Sequence, residues 1–181
     1  STSSFVDGPM AHTVASTSST AKNFPIGKGS AFRPATLTVT QDAVTATAYT
    51  GEVFNSAPAS RTLPPTIVKV STVRYWTVTK GGGAGVTATS INFEYGSDDG
   101  VTTPADLRIV KDGGSGNWVD LGGVGSGAPT GSITSTNNFT SFSDFTLGSA
   151  VGDNPLPVEL SAFTVTSSGG KVALYWRTES E

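Results

Sequence analysis

Apolar and polar residues alternate along most of this chain with a period of two. In Ala35–Thr40, Leu37 and Val39 stand between Thr36, Thr38 and Thr40, which gives an extended strand one dry face. Val44–Tyr49 alternates in the same way, and the short polar pair Gln41-Asp42 between the two runs predicts a hairpin. Further strands are predicted at Glu52–Phe54, Ile67–Val70, Val73–Thr79, Val86–Tyr95, Leu107–Val110, Trp118–Leu121 and Ser132–Thr134. Phe139, Phe142 and Phe145 recur every three residues, but Ser and Thr fill the gaps and helix formers are missing, so Phe139–Leu147 is read as a bent or bulged strand.

Turn chemistry separates these runs. Asn55–Pro65 carries Pro58, Pro64 and Pro65 and is a loop or a crossing at a sheet edge. Glycine clusters at 81–85, 96–100, 112–116 and 122–131 punctuate the rest. About ten short strands at this spacing predict an all-β fold, an antiparallel β-sandwich of Ig-like or jelly-roll-like type. The organisation reads as an N-terminal arm over 1–20, a sandwich over 21–151, a proline linker over 152–157 and a C-terminal hairpin over 158–181. The linker holds Pro155 and Pro157, which make a stiff, extended connector.

Composition narrows the functional classes. The 181 residues include 27 threonines, 23 serines and 22 glycines, and only 14% are charged, against about 25% in an average soluble domain. That balance excludes a coiled coil, and no apolar run approaches the ~18 residues of a membrane span. A net charge of −3 with 11 scattered basic residues argues against nucleic acid and anionic membranes as partners. Cysteine is absent, so the fold relies on its core and ladders. The chain opens Ser-Thr-Ser-Ser, as a mature exported protein or an artificially trimmed chain would. The small polar composition favours the first, and an extracellular or cell-surface location is expected, with the signal peptide removed.

No motif names a chemistry. His12 is the only histidine, and no G-x-S-x-G elbow supports a hydrolytic triad around it. Glu52, Glu94, Asp98, Asp99, Asp106 and Asp120 stand in turn or strand contexts, with nothing to place two across a cleft for glycoside hydrolysis. Asp98, Asp99 and Asp106 are the candidate calcium ligands, since calcium takes clustered loop carboxylates; the EF-hand spacing is missing, and a solvated turn is the alternative. Asp112–Gly116 is similar in outline to a phosphate loop but lacks the Lys-Ser/Thr and the following helix. Tyr75, Trp76 and Trp118 are candidates for a sugar-stacking platform, with core packing as the alternative. Asn138-Phe-Thr140 fits a glycosylation sequon.

Several phrases together resemble a module of large surface proteins exported by the type IX route: SFVDGPM at 4–10, FPIGKGSAFRPATL at 24–37, VRYWTV at 73–78, ADLRIVK at 105–111, NWVDLG at 117–122 and FSDFTLGS at 142–149. The closing NPLPVELSAFTVTSSGGKVALYWRTESE is similar to the opening of a fibronectin-III-like domain. The resemblance implies export, an all-β fold and a non-catalytic role in surface assemblies; it carries over no catalytic residues or cofactor.

These readings converge on a non-enzymatic extracellular structural protein. A terminal segment of one subunit would complete a sheet of the next, giving a homo-polymer by β-augmentation. The predicted subunit contacts are Phe5, Val6 and Met10 on the arm, and Val158, Leu160, Phe163, Val165, Val172, Leu174 and Trp176 on the hairpin. The alternative is a carbohydrate-binding or adhesin module of a larger secreted protein, with surface glycans as partners.

Overall fold

The computed structural model describes residues 4–152, 160–168 and 171–178. The alternation found in the sequence becomes two facing sheets. The larger runs β12 (Asn117–Asp120), β11 (Leu107–Gly114), β14 (Asp144–Ser149), β9 (Tyr75–Lys80), β7 (Thr47–Phe54) and β2 (Met10–Val14), with β8 (Lys69–Val70) also on β14. The smaller runs β13 (Gly131–Thr134), β10 (Val86–Tyr95), β6 (Ala35–Gln41) and β3 (Thr20–Phe24). A minor sheet joins β1 (Val6–Asp7), β4 (Ile26–Lys28) and β5 (Ala31–Phe32), and its β1–β4 pair is parallel. β15 (Leu160–Ser168) and β16 (Lys171–Thr178) pair with each other. The remaining pairs in the two large sheets are antiparallel, so the molecule is an all-β antiparallel sandwich. Two short 3-10 turns, 97–99 and 104–106, are its only helical elements among the described residues, and no helix there is long and apolar enough to cross a membrane.

The core lies between the sheets. Leu37, Val39, Ile91, Phe93 and Ile133 from the smaller sheet meet Tyr49, Val53, Trp76, Val78, Ile109, Phe145 and Leu147 from the larger. Trp76 is fully buried, stacked on Phe93 at 4.3 Å between ring centroids, and its indole N–H donates to the Arg33 carbonyl at 3.1 Å. A second, smaller cluster of Ile67, Val110 and Trp118, with Leu63 and Val70 against it, lies beneath the proline-rich loop. That loop lays Arg61 over the Trp118 ring, 4.6 Å from its centroid.

Four local expectations change. The Gln41-Asp42 pair does not turn a hairpin: β6 and β7 belong to different sheets. The buried Gln41 side chain donates to the Tyr49 hydroxyl at 3.1 Å across the crossing. Val44–Tyr49 and Glu52–Phe54 are not separate strands, because β7 runs through Gly51. A Cβ at Gly51 would lie 3.2 Å from the Phe24 ring, so the glycine marks a close approach and not a break. Only the end of Phe139–Leu147 is strand; Phe139 and Phe142 stand before it and pack on Phe145 and Tyr49, respectively. Finally, the arm expected over 1–20 holds β1 and β2, paired to β4 and β7 of the same chain. Its alternation was obscured because small residues, Ala11 and Thr13, occupy the exposed positions.

Replacing Trp76 with alanine removes a fully buried indole and the hydrogen bond that ties it to Arg33, and is expected to cost about 3–5 kcal/mol. Val44→Ala, at a residue 69% exposed, is expected to stay within about 0.5 kcal/mol. Urea unfolding followed by tyrosine and tryptophan fluorescence checks both.

Candidate functional site

On the C-terminal hairpin, the described side chains of Thr164, Val165, Ala173, Leu174 and Tyr175 are all exposed. Its register sets Phe163 against Trp176 and Val165 against Leu174, while Thr164 stands against Tyr175. With a side-chain period of two, Val165 and Leu174 share one face. Val165 and Leu174 are 53% and 51% exposed, and Tyr175 on the other face is 63% exposed. Of the predicted contacts here, Val158 lies outside the described residues, as do the side chains of Leu160, Phe163, Val172 and Trp176.

The N-terminal candidates are placed differently. Phe5 stacks on Phe32 at 5.8 Å, and Val6 is 38% exposed on the short strand β1. Asp7 pairs with Lys28 at 2.8 Å and accepts the Gly29 N–H. The Lys28 ammonium and that N–H hold the exposed Asp7 carboxyl below its usual range. Met10 is half-buried on β2 and packs against the main core. The structure therefore brings Phe5, Val6 and Met10 onto their own subunit and keeps them apart from the hairpin residues in chain pairing.

The acidic candidates form an arginine-paired cluster. Both oxygens of Asp98 are taken, one by Arg33 Nη2 and the other by Arg74 Nη2 at 2.6 Å. Asp99 is fully buried; its Oδ2 accepts from Arg33 Nε at 2.8 Å and from the Gly96 N–H, and its Oδ1 lies 3.2 Å from Arg74 Nε. Burial pushes the Arg74 guanidinium down and Asp99 opposes that. Asp106 stands apart in the second 3-10 turn, and among the described residues no three His, Cys, Asp or Glu side chains are grouped to hold a metal ion. The calcium expectation thus meets carboxylates already neutralised by Arg33 and Arg74. Neither arginine was picked out from sequence, although an arginine inside the alternating run Val73–Val78 in so weakly charged a chain was the available signal. An open cleft of about 490 Å³ lies against this cluster, lined among others by Asn55, Ser56, Arg74 and Asp98.

The remaining candidates take structural places. Trp76 is buried between the sheets and Trp118 lies under Arg61, so the three aromatic residues do not form an exposed row. Tyr75 instead stacks on Phe54 at 4.7 Å. His12 Nε2 donates to the Asn23 carbonyl at 2.8 Å, and the ring lies edge-on to Phe24. Asp112–Gly116 is the tip of the β11–β12 hairpin: Asp112 to Gly114 end β11 and Ser115-Gly116 turn the chain, with Gly114, Ser115 and Gly116 at positive φ. Asp120 accepts from Thr66 and from the Gly122 N–H. Asn138 is exposed.

Arg61 ties the loop to the larger sheet by bridging Asp112 at 2.9 Å and Asp144 at 3.1 Å. Burial alone would raise the Asp112 carboxyl, but the Gly114 N–H, Arg61 and Lys111 together hold it below the usual carboxylate range. Its stabilisation is therefore complete above about pH 4 and is lost as pH falls through the lowered pKa. Asp112→Asn is expected to flatten that part of the acid limb, read as urea midpoints across the acid range. Asp99→Ala leaves the buried Arg74 and the partly buried Arg33 with only the half-exposed Asp98 as partner and is expected to cost about 3 kcal/mol. Asp98→Ala, at a half-exposed side chain, is expected to cost less than about 1 kcal/mol; the same unfolding measurement separates them. Comparison with known protein families, with characterised proteins and with solved structures finds no match to this chain.

Proposed function

We propose that this chain is a non-enzymatic structural protein of the cell exterior, whose subunits assemble by lending the β15–β16 hairpin to a neighbouring copy. The observation that carries the reading is the exposure of two opposed apolar side chains on that hairpin, Val165 and Leu174, each about half exposed. A two-stranded hairpin is marginal in water without a surface to pack on, so its apolar positions need a partner. A copy of the same sandwich supplies one through main-chain pairing, and a contact that joins different patches on the two subunits propagates into a filament. The resemblance to type IX surface modules supports export. The paired state of Asp98 and Asp99 fits a role in which the carboxylates hold the fold together.

A second reading, attachment to surface glycans, is favoured by the half-buried Phe54–Tyr75 stack, which adjoins in sequence the cleft residues Asn55 and Arg74. In that reading Tyr75→Ala abolishes retention on a glycan array while leaving assembly intact.

Assembly is tested with the full chain carrying Val165→Glu and Leu174→Glu together. Both positions are exposed, so the sandwich unfolds at an unchanged urea midpoint. Negative-stain microscopy is expected to show filaments from the unaltered chain and dispersed particles from the variant. Filaments from both, or dispersed particles from both, would sink hairpin donation.

A further inference from the structure

A donated hairpin needs a receiving edge, and the two large sheets end in four. β12 is covered on its outer side by the proline-rich loop: Thr62 N–H donates to the Gly116 carbonyl at 2.9 Å, and Trp118 N–H donates to the Thr62 carbonyl at 2.9 Å. β13 is covered by the glycine-rich segment, where Gly125 bridges Ile133 and the Ser126 N–H donates to the Ser132 carbonyl at 2.9 Å. On β3 the His12 ring caps the Asn23 carbonyl, and Lys22 adds a charge, both devices that discourage a further strand.

β2 supplies that His12 ring to β3, and its own main chain carries no such cover. Among the described residues its backbone bonds to β7 alone. Its sequence, Met-Ala-His-Thr-Val, carries no lysine, acid or proline, the residues by which natural edges repel an added strand. Ala11 and Thr13 are exposed, while Met10, His12 and Val14 stand against Gly51, Tyr49 and Thr47 on the core side. A strand laid beside β2 in alternating register would continue that core-side row with its own apolar face. The hairpin offers such a face, on strands of nine and eight residues against the five of β2.

From the capping of the other three edges we infer that β2 is the acceptor: the hairpin of one copy adds to the Met10–Val14 edge of the next and extends the larger sheet. The inference rests on hairpin donation between copies and names where the donated strands go. It also gives the N-terminal segment its part in assembly, as the receiving surface and not as a second donated arm. Donor and acceptor are then different patches, so the contact leaves one of each free at the ends of every oligomer.

Two full-length variants and one crosslink test the assignment. Ala11→Lys with Thr13→Lys places two charges on the exposed positions of β2 and is expected to abolish filaments with the urea midpoint unchanged. The chain has no cysteine, so introduced pairs report without background. Thr13→Cys combined with Ala173→Cys or with Thr164→Cys is expected to give ladders of covalent oligomers with a short bis-maleimide, from whichever hairpin strand lies on the edge. Val119→Cys on β12 with either hairpin cysteine is expected to give monomer only. Normal filaments from the β2 lysine variant, or ladders from Val119→Cys in place of Thr13→Cys, would overturn β2 as acceptor while leaving donation standing, provided Val165→Glu with Leu174→Glu still disperses the particles. If those two glutamates leave filaments intact, donation fails first and the acceptor assignment falls with it.

Discussion

The stack of Trp76 on Phe93 is the contact on which the rest of the sandwich depends. It joins the larger sheet to the smaller at the centre of the core. The same indole reaches out of the apolar layer to the Arg33 carbonyl, and so fixes the segment whose guanidinium pairs with Asp98 and Asp99. Asp99 in turn holds the Gly96 N–H and opens the 97–99 turn. A single side chain therefore links hydrophobic packing between sheets to the polar network that closes one end of them. Burying that network is costly unless every charge is matched, and two arginines against two aspartates meet the condition. The charges balance, while Arg74 Nη1 has no hydrogen-bond partner among the described residues.

Without a disulfide or a long helix among the described residues, the architecture must still deal with its sheet edges. Three are blunted by different means: a proline-rich loop on β12, a glycine-rich strip on β13, and on β3 its own Lys22 with the His12 ring reaching over from β2. Those loops are the irregular parts of the sequence, and their composition follows from the work of lying along an edge. Proline presents no N–H where none is wanted, and glycine lets the 122–127 strip approach Tyr95 and Ile133 closely. The uncapped β2 and the uncovered hairpin stand out against that background, and one strand-pairing step would satisfy both.

The sequence made the sandwich legible because its strands alternate cleanly, as in β6 and in β10 from Thr89 onward, where each second residue is buried. It concealed sheet membership. Gln41-Asp42 looks like a hairpin turn, since local pattern carries no record of whether a chain turns back or crosses to the other layer. The N-terminal strands were hidden by their small exposed residues, and the Phe139–Phe145 triplet suggested more strand than there is because Phe139 and Phe142 pack on the core from a loop while only Phe145 lies on β14. Of the candidate sites, the hairpin could be read from its two alternating runs. The pairing of Asp98 and Asp99 could not, because Arg33 and Arg74 lie 65 and 24 residues away along the chain, and only the fold brings them together.

The most direct measurement is amide hydrogen exchange of the full chain over a wide range of protein concentration, resolved to segments 10–14 and 160–178. Exchange reports which backbone groups are paired at a given moment. Protection that rises with concentration in both segments together, while Leu37, Trp76 and Ile109 stay equally protected throughout, is the predicted result. Protection of the hairpin that is the same at every concentration, or a rise in the hairpin with none in β2, would contradict assembly through this pair.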